Sequence, residues 1–180
     1  MMFDPTAFEN MKVVIEGELY DRDLGGEITV TDRNDLVNLA KLSRLFELTF
    51  YLQNKKSHPV KCTILLQAAL ENLAAELLPI ARSEEKSGCY VEVNFHLNHI
   101  NMEGIHNHIE QIMFNIWGKE RNYNQKVSFN PLLKGQNVDT VVTIDFNRLI
   151  LEEQIDDLVE MIHYMVETLN QLQKLLTKES

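Results

Sequence analysis

The last thirty or so residues constrain this chain more than any other stretch. Leu151, Ile155, Leu158, Ile162, Met165, Leu169, Leu172 and Leu176 follow one another at alternating steps of four and three. An α-helix turns once in about 3.6 residues, so this spacing lines the side chains along one seam, the a/d pattern of a heptad repeat. Val159, Met161, Val166 and Leu175 widen the seam on both flanks. A stripe that broad asks for a wide groove or several neighbours rather than a single partner helix. A helix over residues 148–178 would be roughly 45 Å long at 1.5 Å per residue. A domain of this size has a radius of gyration near ~16 Å, so the rod is about as long as the fold. Either the seam is core, or part of it meets a second copy of the chain. The length favours the second reading, which makes these residues the candidate interface of a homodimer.

The start of the same helix is acidic. Glu152, Glu153, Asp156, Asp157 and Glu160 fall opposite the seam. Carboxylates suit the positive end of a helix and a solvated face. Like charges four residues apart nevertheless repel by a few tenths of a kcal/mol each, or about 0.2–0.5. A basic partner or a divalent ion would relieve that repulsion, so the group is a candidate contact face.

The remaining sequence fits one α+β domain over residues 1–180. Two β-hairpins and a central strand form a mainly antiparallel sheet, packed by about four helices. Residues 11–20 and 26–31 read as the first hairpin around DRDLG. Asp32 then caps a buried helix over 32–53, although FELTFYL (46–52) is strand-like, which leaves residues 47–53 open between helix and strand. NKKSHP is a connector, with Ser57 and Pro59 opening a second helix over 60–82 that Pro79 thins near its end. CYVEVNFHL alternates as a strand, with Cys89, Val91, Val93, Phe95 and Leu97 on one face. Ile105, Ile109, Ile112, Met113 and Ile116 mark a helix that Gly118 terminates. QKVSFN and VDTVVTIDF form the second hairpin around PLLKGQN.

Four of the six histidines, His96, His99, His106 and His108, lie within thirteen residues. Metal binding, to zinc or another divalent ion, requires that such ligands converge. His106 and His108 are two apart on the expected helix, about 200° around its axis, and diverge. Only a helix beginning near residue 109 would let three of the four meet, with Glu103 as a further ligand. DRDLGGEITVTD places Asp21, Asp23, Gly26, Ile28 and Asp32 at calcium-loop positions, but Gly25 offers no ligand and a tight turn explains it more simply. WGKERNY sets Trp117, Lys119, Arg121 and Tyr123 together, which suits stacking on a nucleic acid but equally the end of a helix. No nucleotide, hydrolase or CxxC signature occurs.

Charge narrows the partners. The chain carries a net −10, which argues against binding a phosphate backbone. Residues 1–53 and 149–180 each carry net −5, whereas 117–148 carry +2. The N-terminus lacks a basic and apolar leader, and no apolar stretch reaches the ~18 residues of a membrane span. Cys62 and Cys89 lie in apolar runs and suit reduced, buried thiols. The expectation is a non-enzymatic cytoplasmic protein-interaction module, an adaptor, inhibitor or chaperone whose partner includes itself as a homodimer. It needs no cofactor, contacts no membrane and is unsuited to nucleic acid. Its rivals are a small metal-dependent enzyme using residues 96–108, and an acidic mimic of nucleic acid acting through 152–160.

Overall fold

Alternation, not helical period, governs the first half of the chain once it leaves its opening helix. In a computed structural model, which describes residues 6–54, 60–75 and 84–178, α1 (Thr6–Leu24) precedes β1 (Ile28–Asn38), β2 (Ser43–Leu52) and β3 (Lys61–Ala68). A short α2 (Leu70–Ala75) leads to β4 (Gly88–Ile100), α3 (Ile105–Trp117), β5 (Asn122–Ser128), β6 (Asn137–Leu151) and α4 (Ile155–Lys178). The strands make one sheet in the order β1-β2-β3-β4-β6-β5, with antiparallel pairing throughout. The fold is α+β, and its long C-terminal helix is present.

One face of the sheet is apolar because successive strands place their buried residues in register. Phe46, Leu48 and Phe50 of β2 stand beside Cys62, Ile64 and Leu66 of β3, then Val91, Val93 and Phe95 of β4. α4 runs between α1 and α3 and packs on β2 and β3 beneath it, while α3 rests on β5. The other face is polar and is tied by cross-strand bonds. Thr49 and Thr63 hydroxyls meet at 2.8 Å, and Thr143 donates to Asn94 Oδ1 at 2.6 Å.

Several expected elements differ. Residues 11–20 are not a strand but part of α1, because Phe8, Met11, Ile15 and Leu19 recur at steps of three and four and are all fully buried. Gly25 and Gly26 therefore close a helix instead of turning a hairpin. Their N–H groups donate to Asp21 and Asp23 carbonyls, and Gly26 takes φ 79°. The 26–31 segment opens β1 and pairs with β2, Ile28 opposite Leu52. Asp32 lies inside β1 and caps nothing, since the helix expected over 32–53 is the β1–β2 hairpin. Its turn lacks glycine and proline. Asn38 Oδ1 accepts from the N–H groups of Ala40 and Lys41, and Leu42 adopts φ 52°.

The helix expected over 60–82 is replaced at its start by β3, in which Cys62, Ile64, Leu66 and Ala68 alternate inward. Its end at Pro79 and the opening at Ser57 and Pro59 lie outside the described residues. The C-terminal helix begins at Ile155 rather than near 148, because β6 continues to Leu151, opposite Gly88. The strand at 89–97, the helix ending at Gly118 and the hairpin of β5 with β6 are where the sequence places them.

Candidate interaction surface

The heptad seam is used inside the chain. Leu158, Ile162, Met165, Leu169 and Leu172 are fully buried against the sheet and the flanking helices. Ile155 and Leu176 are partly buried on the same core, and Leu151 belongs to the end of β6 rather than to the helix. The flanking Met161 and Val166 are buried too. The breadth of the stripe thus matches a broad groove, and that groove is the chain's own sheet. α4 has 24 residues, about 36 Å at 1.5 Å each, shorter than the rod expected.

The acidic residues are exposed but do not form one stripe. Glu152 and Glu153 sit in a 3-10 turn, where Gln154 Oε1 accepts the Leu151 N–H at 3.2 Å and starts the helix. Asp156, Asp157 and Glu160 follow on α4. Glu152 accepts from Asn10 of α1 at 2.5 Å, and Glu160 accepts from the Tyr164 hydroxyl at 2.8 Å. That bond to Glu160 raises the Tyr164 pKa above its ordinary value.

Of the four clustered histidines the fold brings two together. α3 begins at Ile105, after Gly104 at φ 82°, so His106 and His108 diverge around it. His99 and His106 meet edge to face, ring centres 5.7 Å apart. Each ring nitrogen has a protein neighbour. His99 donates Nδ1–H to the Ile100 carbonyl at 2.8 Å, and its Nε2 lies 2.8 Å from the Thr140 hydroxyl. His106 Nδ1 lies 3.1 Å from Gln125 Oε1, and its Nε2 lies 3.3 Å from Asn101 Oδ1. His96 is on the opposite face of the sheet, where burial and then the Lys61 charge lower its pKa. His108 is exposed. Among the described residues no three His, Cys, Asp or Glu side chains converge as a metal site.

WGKERNY turns inward in part. Trp117 is buried and donates its indole N–H to Thr168 Oγ1 at 2.9 Å. Arg121 stacks over Phe146, 4.9 Å from the ring centre, and Tyr123 donates to the Gly118 carbonyl. These aromatic groups stitch α3 to β5, β6 and α4, and Lys119 alone of the singled-out residues is exposed.

The sequence reading passed over two surfaces. At the β1–β2 turn, Leu36, Val37, Leu39 and Leu42 are exposed. At the other edge of the sheet, the β5–β6 hairpin exposes Val127, Phe129, Leu132 and Leu133, with Phe129 at 69% and Leu132 at 88%. The second tip is a built turn. Asn130 Oδ1 accepts the Leu132 N–H at 3.0 Å, and the Asn130 carbonyl accepts that of Leu133 at 3.2 Å. The signal was present, since paired leucines inside PLLKG, between proline and glycine, have no strand face to occupy. Comparison with protein-family models, curated proteins and solved structures finds no match to this chain.

Proposed function

We propose that this chain is a non-enzymatic protein-interaction module, working in the cytoplasm as a homodimer in the manner of an adaptor, inhibitor or chaperone. The observation that carries the reading is the β5–β6 tip, where Val127, Phe129, Leu132 and Leu133 are held outward on a fixed turn. Single exposed apolar side chains are ordinary; four within residues 127–133 of one hairpin make that tip the candidate contact surface. With the heptad seam committed to the core, association falls to such peripheral apolar groups. Support for a reducing compartment comes from Cys62 and Cys89, both buried in the core, with burial pushing the Cys62 thiol well up. No described helix is long and apolar enough to cross a membrane.

Native mass and elemental analysis on the untagged chain at micromolar concentration test this directly. The expected result is a dimer without stoichiometric metal. A monomeric mass removes the homodimer, and stoichiometric zinc or manganese moves the reading to a metal-dependent enzyme using the His96–His108 segment. A mimic of nucleic acid would instead bind a basic DNA-binding partner, and neutralising Asp156 and Asp157 would weaken it.

A further inference from the structure

A sheet with two edges offers two templates for another strand, and the edges here are differently guarded. β1 carries a bulge between Val30 and Asp32, and Asp32, Arg33 and Asp35 run along it. Arg33 is paired with Glu16, and Asp35 with Lys12 and Arg44, so α1 ties that edge down. Bulges and charges are how edge strands avoid pairing. β5 has neither a bulge nor acids, and Lys126 is its one charged residue.

We infer that β5 is the dimer contact: two copies pair antiparallel through Asn122–Ser128, centred on Gln125, to make a continuous twelve-stranded sheet. The inference rests on the homodimer reading above, and the register follows from the sequence of the strand. Centring on Gln125 sets Tyr123 opposite Val127 of the second copy, Asn124 opposite Lys126, and Asn122 opposite Ser128. An aromatic residue facing a β-branched one is among the favourable cross-strand pairs. Centring on Lys126 would set two ammonium groups opposite each other, and like charges directly opposite are destabilising. The preferred register leaves no such conflict and uses all seven residues of the strand.

The packing of α3 supplies a second reason. α3 covers only one half of β5. Gln125 donates to the His106 carbonyl at 2.9 Å, and Phe114 meets Tyr123 edge to face at 5.4 Å. Beyond Gln125 the same face is open, with Val127 40% and Phe129 69% exposed. A two-fold axis at Gln125 exchanges the halves. Each uncovered Val127 comes to lie beside the Tyr123 that the other copy's α3 covers. The exposed half of one strand is therefore completed by the covered half of its twin, which is the self-complementarity a two-fold interface requires.

Cysteine pairing on the full chain reads the register. Residues directly opposite in an antiparallel pair have Cα atoms about 4.5–5.5 Å apart, within disulfide reach. Asn124 and Lys126 are exposed on the face of the sheet away from α3, and the native Cys62 and Cys89 are buried. An equimolar mixture of Asn124→Cys and Lys126→Cys should cross-link under mild oxidation at least about tenfold faster than either variant alone, whose thiols lie beyond the ~7 Å limit. Val127→Asp, at an exposed position, should weaken dimerisation about tenfold or more without lowering the unfolding temperature of the monomer. Equal cross-linking in a single variant, or a dimer that neither cross-links in the mixture nor weakens with Val127→Asp, overturns the β5 contact and leaves the homodimer standing. A monomeric wild type overturns both.

Discussion

Asp35 shows how much of this fold hangs on single charged side chains. It lies between the Lys12 ammonium at 2.9 Å and the Arg44 guanidinium at 3.1 Å, while Glu9 takes the other side of both cations. Desolvation is the largest influence on Asp35 and pushes its pKa up, but hydrogen bonds and charge from Lys12 and Arg44 together outweigh it, and the net shift is downward. Glu9 is lowered in the same way. A carboxylate held below its unfolded value adds stability that is complete above the unfolded pKa of about 4 and fades as pH falls through the folded one. Urea unfolding should therefore show stability declining below about pH 4. Asp35→Asn should cost about 1–3 kcal/mol at pH 7 and flatten that decline; an unchanged pH slope would show that the pairs contribute nothing. Gly17 predicts the opposite sign. It is exposed within α1, and an added Cβ meets nothing within 4 Å. Gly17→Ala should raise stability by about 0.5–1 kcal/mol, visible as a higher thermal midpoint.

At the level of elements, legibility followed whether one period dominated a segment. β4 alternates cleanly and α3 keeps its isoleucine stripe, so both were readable. α1 hid because Val13, Tyr20 and Leu24 put apolar groups on its outer side and blurred its helical period. The strands of the first hairpin hid because Leu, Ala and Lys gave their turn a helical composition, with only Asn38 to hold it. In β1 and β6 a polar break looked like the end of a strand, and each is a bulge through which pairing resumes: Val30/Asp32 in β1, and the stretch around Asn147 at φ 48° opposite Tyr90/Glu92. The candidate contact residues were less legible than the folding ones. The seam was visible by period alone, yet period cannot say whose surface the seam meets, and the β5–β6 tip is marked by composition in a loop. The β4–β6 pairing beyond the second bulge has a sharp test. A Cβ at Gly88 would come 2.2 Å from the Ile150 carbonyl oxygen. Gly88→Ala should then destabilise by about 2–3 kcal/mol, at the upper range for overpacking; full tolerance would mean that this stretch of β6 lies farther away.

For the whole molecule, the layer order decides where another chain can sit. α4 is central, flanked by α1 and α3 above the sheet, so its seam is closed and the free edges of the sheet are left. Net charge then sets how association responds to salt. Each copy carries −10, mostly at its two ends, and the stretch holding β5 is the least acidic. Pairing through β5 brings two acidic molecules together by their mildest region, so long-range repulsion opposes the approach. Raising salt from 50 to 500 mM shortens the Debye length from about 14 to 4 Å and screens that repulsion. Burial of Val127 against Tyr123 is not weakened by the same change. The dimer should therefore tighten severalfold over this range, as sedimentation equilibrium would show. A contact made by the acidic start of α4 with a basic surface has the opposite sign and loosens with salt, as opposite charges lose their attraction. A dimer that loosens as salt rises would place the contact at Asp156 and Asp157 and take it away from β5.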